Sequence, residues 1–561
     1  MVHFNLKLAF LAAALLAWDV SAKIYNDPTP RPRKFNKRQL PANATDVKTI
    51  TSPTGVTIRY KEPGKAGVCE TTPGVNSYAG YIDLAEDKHS FFWFFESRSN
   101  PSTDPITLWL NGGPGSDSMI GLFQELGPCN VTAELESMIN PYSWNGVSNL
   151  LFLSQPFGVG FSYMTEVEGS ITDDWEAVIV NASVEEVTGR WPEIDPTYIE
   201  TTDEAAAAAW HVLQGFYSAL PQLDGNVPSK EFNLWTESYG GHYGPAFFNH
   251  FYEQNELVAN GSQPGIELKM NSLGIINGII DEYIQVPFYP EMAVNNTYGI
   301  KSYNDTVYNF ARFAAYMPDY GCLAQILYCR SNNHTTVADF AVCSEAAAIC
   351  RDMVESSYYV FGGRGVYDIR HPYNDPTPAD YFADYLNLAE VQNALGVNLN
   401  YTTANDWVYW AFQQTGDFIY DSFIGDLEML LDQGVRVGLF YGDADYICNW
   451  FGGEAISKNI NYTHQAEFNA AGYEPFVVDG VEYGEVRQYG NFSFARIYES
   501  GHEVPYYQPI ASLAFFNRTI NNMDIATGEV RISANFSSTG TANTTHTESF
   551  VPLPTSTSSV L

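Results

Sequence analysis

Apolar runs with a β-branched or aromatic bias recur along the chain, each bounded by turn residues, at 91–96, 106–110, 149–153, 232–235, 273–276, 435–441 and 494–498. Several lack polar alternation, the pattern of strands covered on both faces by helices. Helical stretches fall between them. The clearest is 202–220 (TDEAAAAAWHVLQGFYSAL), where a Thr/Asp start opens an alanine run of high helix propensity. Strands alternating with helices predict an α/β fold, a mostly parallel central sheet with helices on both faces. From about 281 to 426 the rhythm breaks into Tyr-, Asn- and Cys-rich sequence, read as an insertion over the C-terminal ends of the strands.

The chain ends follow a different logic. Lys7, an apolar run over 8–18 and the small-residue site Val20-Ser21-Ala22 read as a secretory signal peptide at 1–22. Residues 23–38 are basic and end in Lys37-Arg38, so they read as a pro-segment, with the mature chain starting near Gln39. The folded body is expected over 39–536. The Ser/Thr-rich stretch 537–561 has few apolar residues and is expected to be a disordered, O-glycosylated tail.

Asn-x-Ser/Thr sequons are dense, among them Asn130, Asn181, Asn260, Asn304, Asn400, Asn461, Asn491 and Asn517, which supports secretion, with the vacuole as the alternative. No stretch beyond the signal is long and apolar enough to span a bilayer, so no stable membrane insertion is expected. Composition narrows the partners. With 28 basic against 65 acidic side chains, a net charge of −37 and a pI near 4.4, nucleic-acid binding is excluded, and an acidic medium suits the chain. No feature of the sequence specifies an oligomeric state.

Seven cysteines in a secreted chain imply three disulfides and one thiol left over. Cys322 and Cys329 lie seven apart, as do Cys343 and Cys350, so each pair falls on one helix face, two turns apart. An antiparallel hairpin then nests Cys322–Cys350 around Cys329–Cys343. Cys69 and Cys129 are left to pair, with Cys448 free.

The chemistry begins after the run 232–235, with TESYGGHYGP at 236–245 and an apolar, helix-like run. A strand, tight turn and helix with Ser238 at the apex is the geometry of a nucleophile elbow. A serine nucleophile needs an oxyanion hole and a base. NGGPGSDS at 111–118 offers a glycine-rich loop whose backbone N–H groups can approach an anion. In elbow folds the acid and base follow the serine at late strand ends. GDADYICNW follows one such strand and ESGHEVP another, giving His502 as base and Asp443 or Asp445 as its orienting acid. The other histidines lie in the signal, the tail, in or just after sequons, the insertion or the early chain, or, like His242 and His250, directly after the elbow. His242, four residues past Ser238, cannot easily reach its hydroxyl while an Asp holds the far nitrogen.

These residues resemble the serine carboxypeptidases, especially the secreted fungal kind, over roughly 67–520. FFWFFESR (91–98), WLNGGPG (109–115), ELGP (125–128), NPYSWN (140–145), QPFGVGFSY (155–163), ESYGGHYGP (237–245), GDADYICNW (442–450) and GHEVP (501–505) carry the likeness. The resemblance implies an α/β-hydrolase fold with a disulfide-bearing insertion. It implies hydrolysis of C-terminal peptide bonds of peptides and proteins through an acyl-enzyme at acid pH. It assigns Ser238, Asp445 and His502 as the triad and so favours Asp445 over Asp443. It gives the backbone N–H groups of Gly113 and Tyr239 as oxyanion donors. It further implies that Asn111, Gly112, Glu125 and Glu237 bind the substrate C-terminal carboxylate, with Trp109 shaping that site. No metal and no cofactor are implied. An esterase or acyltransferase on the same scaffold is the alternative.

If Glu125 and Glu237 meet, they share a proton, and the protonated carboxyl can donate to a substrate carboxylate until rising pH removes it. Three positions depart from the family pattern. Ser116 stands where a disulfide-bonded Cys is common, Thr236 where the elbow has Gly, and Glu503 where an apolar residue lines the leaving-residue pocket. Glu503 is expected to favour Lys or Arg leaving groups.

Overall fold

The computed structural model describes residues 41–553 except 42, 172–177, 181–187, 194, 196–197, 229–230, 333–335 and 376. The expected signal peptide, pro-segment, mature start near Gln39, sequon Asn181 and last residues of the tail lie outside the described residues.

The apolar runs become strands of one twelve-stranded sheet. In sheet order these are Lys48–Thr51, Thr57–Lys61, Ser77–Ala85, Lys88–Phe95, Asn149–Leu153, Ile106–Leu110, Glu231–Glu237, Lys269–Ile276, Arg436–Gly442, Phe492–Ile497, Val481–Tyr489 and Glu474–Val478. Pairings from Asn149–Leu153 through Phe492–Ile497 are parallel, and those on either side are antiparallel. Parallel pairing thus describes the centre of the sheet. The flanks differ because turns as short as Glu86-Asp87 leave no room for a crossover.

Alternate side chains of the central strands point to opposite faces. Leu108, Leu234 and Leu439 enter one core, and Trp109, Trp235 and Phe440 the other. The first face is covered by helices Thr202–Leu223 and Gly240–Ala259, where Trp210 meets Phe251 at 5.8 Å. Helix Pro509–Ile520 covers the second. Its Phe516 stacks on Trp144 at 4.1 Å and meets Trp235 edge-on at 5.2 Å, each ring's burial being worth roughly 1.5–3 kcal/mol.

The insertion leaves the sheet after Lys269–Ile276 and returns at its parallel neighbour Arg436–Gly442, so its helices lie over the strand C-termini. Two of them, Cys322–Arg330 and Val337–Cys350, are joined by Cys322–Cys350 and Cys329–Cys343. The third bridge is Cys69–Cys129, and Cys448 is a buried free thiol. A small three-stranded sheet, Thr165–Ile171, Val178–Val180 and Thr188–Glu193, was not foreshadowed by any apolar run. No helix among the described residues is long and apolar enough to cross a membrane.

The tail corrects the expectation of disorder from Ser537. As far as Leu553 it follows a defined path as a strap. Ser538 N donates to Gln488 O (2.9 Å), Arg487 donates to Ala542 O (2.7 Å), and Arg496 donates to Thr544 Oγ1 (2.5 Å) and His546 O (2.8 Å). His546 stacks on Tyr498 at 3.5 Å, and Arg364 donates to Val551 O at 2.8 Å. Buried guanidinium groups need acceptors, and the strap's carbonyls supply them. Composition registers apolar residues and cannot register that demand.

Candidate active site

Strand Glu231–Glu237 runs into Ser238, whose φ of 64° is the left-handed strain of an elbow apex, and helix Gly240–Ala259 begins two residues later. The neighbouring strand end holds the turn. Ser238 N donates to Ile276 O (3.1 Å), and Ser238 O accepts from Ile279 N (3.0 Å) and Gly241 N (2.9 Å). Thr236 fits where glycine is usual because the space is supplied downstream. Its hydroxyl donates to Gly240 O (2.7 Å), and a Cβ on Gly240 would lie 2.5 Å from Thr236 Cβ.

The loops after Arg436–Gly442 and Phe492–Ile497 bring Asp445 and His502 together, both buried, with His502 Nδ1 2.7 Å from Asp445 Oδ2. Asp445 also accepts from Asn277 Nδ2 (2.8 Å) and Ile447 N (3.1 Å). Asp443 goes elsewhere, accepting from Tyr298 Oη (2.6 Å) and Arg496 (3.4 Å). Burial pulls the His502 pKa down, but the Asp445 charge and hydrogen bond outweigh it and hold the imidazole above its ordinary value. His242 instead packs inside. Its ring nitrogens lie 2.6 Å from Ile279 O and 3.2 Å from Phe418 O, and burial pushes its pKa down to about 4.

Two residues join the site without any motif announcing them. Asn277 follows the strand Lys269–Ile276 and binds both Asp445 and Gly442 N (3.0 Å), a relation only sheet neighbours can create. Tyr367, from the insertion, accepts from His502 N at 2.8 Å and sets its ring 4.9 Å from the imidazole. The Cys448 thiol lies against the Ser238 hydroxyl, and burial with the Asp445 charge keeps it protonated. The ligating atoms of Asp445, Cys448 and His502 lie within 4.8 Å of one another, and no metal-ligand motif covers the group.

The loop 111–118 presses onto the elbow. A Cβ on Gly112 would sit 2.3 Å from Tyr239 N, and Gly113 adopts φ 107°, so glycine is required for this approach. Ser116 N donates to Gly112 O (3.2 Å), closing the loop where the resemblance has a cysteine.

Beside it lies a buried polar cluster. Asn111 Oδ1 accepts from Trp109 Nε1 (2.7 Å) and Gly121 N (2.9 Å), which fixes its amide so that Nδ2 donates to Glu125 Oε1 (3.3 Å) and Glu237 Oε1 (3.2 Å). Burial raises both carboxyl pKa values, Glu237 further because the Glu125 charge and a hydrogen bond between the two favour a shared proton. Glu503 adds a third carboxyl. Burial pushes it up to about 8, the Glu125 and Asp445 charges adding to the rise and His502 opposing it.

A family model described as serine carboxypeptidase matches residues 63–522. Carboxypeptidase S1 homolog A of Arthroderma otae is 41% identical over 542 residues, covering 89% of this chain and 81% of that protein. Vacuolar serine-type carboxypeptidase ATG42 of Saccharomyces cerevisiae is 33% identical over 496 residues, covering 86% and 85%. Among solved structures, KEX1(delta)P, a prohormone-processing carboxypeptidase from Saccharomyces cerevisiae, superposes with a TM-score of 0.63 at 22% identity, covering 86% of this chain and 99% of that one. That likeness is one of fold.

Proposed function

The chain belongs to the serine carboxypeptidase family and is a hydrolase, an exopeptidase of the α/β-hydrolase fold, and from that premise we propose that Ser238, Asp445 and His502 are its triad. Ser238 Oγ attacks the scissile carbonyl carbon while His502 Nε2 takes its proton. Asp445 holds His502 through Nδ1. The developing oxyanion collects the Gly113 and Tyr239 N–H groups. His502 then protonates the departing amine, leaving an acyl-enzyme that water cleaves by the same route.

The observation that carries the exopeptidase reading is the Asn111, Glu125 and Glu237 cluster, with Glu237 ending the strand that presents Ser238. A protonated carboxyl of this pair donates to the substrate C-terminal carboxylate, with Asn111 and the Gly112 backbone alongside and Trp109 fixing Asn111. As pH rises the pair loses its proton, and two carboxylates then face a third. Peptide turnover therefore falls at lower pH than ester turnover, whose substrates lack that carboxylate. His502 sets the acid limb, because it must be neutral to accept a proton.

The three disulfides support a route through an oxidising compartment, to secretion or alternatively to the vacuole. The deciding assay is release of free amino acid from an N-blocked dipeptide and its C-terminal amide across pH 3 to 8, for wild type and Ser238→Ala. Release from the free acid only, lost in the variant and falling on the alkaline side at lower pH than ester turnover, is expected. Turnover of simple esters with no release from either peptide would mark an esterase or acyltransferase.

A further inference from the structure

The Tyr239 hydroxyl donates to Asp417, a residue of the insertion that is 1% exposed. The same carboxylate accepts from Thr202 N (3.0 Å) and Thr202 Oγ1 (2.5 Å) at the start of helix Thr202–Leu223, whose N-terminal dipole favours a negative charge there. The Tyr239 ring is packed between neighbours in the core, with His242 stacked on it at 4.4 Å and Phe418 tilted against it at 4.5 Å.

The Asp417 turn is itself braced. It starts at Gly416 (φ 75°), where a Cβ would lie 2.4 Å from Cys343 Cβ, so the turn rests on the inner disulfide. It ends at Ile419, whose carbonyl accepts from Arg330 Nε (2.8 Å), and Arg330 is ion-paired to Asp281 (3.1 Å).

We propose that Asp417 is a positioning residue: by holding the Tyr239 hydroxyl it fixes the backbone of residue 239, and so the direction of the N–H that meets the oxyanion. The disulfide-bonded insertion is then part of the catalytic frame as well as its cover. The inference rests on the oxyanion role given to Tyr239 above. A donor aimed by a distant anchor matters in the transition state and little in the ground state, so its loss falls on kcat.

The test uses Tyr239→Phe, which keeps the stacked ring, together with Asp417→Ala, Asp417→Asn and the Tyr239→Phe/Asp417→Ala double variant. Active sites are counted with a serine-directed phosphonofluoridate. Removing an oxyanion donor outright costs about 10²–10³ in kcat, so misaiming one should cost roughly ten- to a hundredfold per titrated site. That loss is expected on peptide and ester alike, with KM within about twofold. Asp417→Asn, which keeps an acceptor, should fall between wild type and Asp417→Ala. The double variant should be no slower than the slower single one, because both break one linkage.

Unchanged kcat per titrated site in Tyr239→Phe overturns the proposal, as do additive losses in the double variant. Should the Asp417 variants not fold, Tyr239→Phe decides alone. An active Ser238→Ala would instead sink the catalytic reading beneath it, so the two failures are distinguishable.

Discussion

The family resemblance implies that Glu503 lines the pocket for the departing residue, and its pKa near 8 gives it a graded charge there. It is protonated in acid and ionises as pH rises. Preference for C-terminal Arg over Leu should therefore widen from pH 5 to pH 7.5, and Glu503→Gln should remove about tenfold of it, equivalent to ~1.4 kcal/mol. Equal kcat/KM for both peptides in wild type, unaltered by the substitution, would remove Glu503 from specificity. At this scale the sequence names the groups proposed to do the chemistry, because a nucleophile, base and acid in fixed chain order are rare together. Without the family resemblance, the residue pattern does not separate Asp443 from Asp445, which differ by their partners: Arg496 and Tyr298 for one, His502 and Asn277 for the other. Asn277, Tyr367 and Asp417 were illegible for the same reason, since each acts through a contact with a residue far along the chain.

Among the elements, the strap over 537–553 carries the clearest consequence. Ending the chain at residue 536 removes two acceptors from Arg496, which is 1% exposed, and one from Arg364. Each lost charge-assisted hydrogen bond costs about 1.5–3 kcal/mol. Thermal unfolding at a fixed scan rate should show the truncated chain melting several degrees lower, and an identical melting curve would make the strap incidental. Periodicity located the central strands to within a few residues because they are apolar on both faces. It passed over Val481–Tyr489, whose buried positions Gly484, Val486, Arg487 and Gln488 are mostly not apolar, and it read the strap as disordered because hydrogen bonds to buried arginines leave no mark on composition.

For the whole molecule, buried acids dominate the response to pH. Asp117 and Asp426 are pushed up to about 7, Glu282 to about 8, and Asp224 and Asp417 to about 6, burial being the largest cause in each. Unfolded carboxyls titrate near 4, so between about pH 4 and 8 the native state holds more protons than the unfolded one, and stability falls as pH rises. Ion-paired Glu62 and Asp83, whose pKa values are lowered, act in the opposite sense and lose their contribution only in stronger acid. Melting temperature should accordingly peak near pH 4–5 and decline towards pH 8, and a maximum at neutral pH would contradict this assignment of the buried acids. The sheet order adds a temporal consequence. Glu231–Glu237 pairs with a strand made earlier, but Asp445 and His502 arrive only with strands synthesised after the whole insertion. A chain still on the ribosome thus presents its serine long before anything can activate it. The late strands postpone assembly of the proposed triad until nearly all of the sheet has been synthesised.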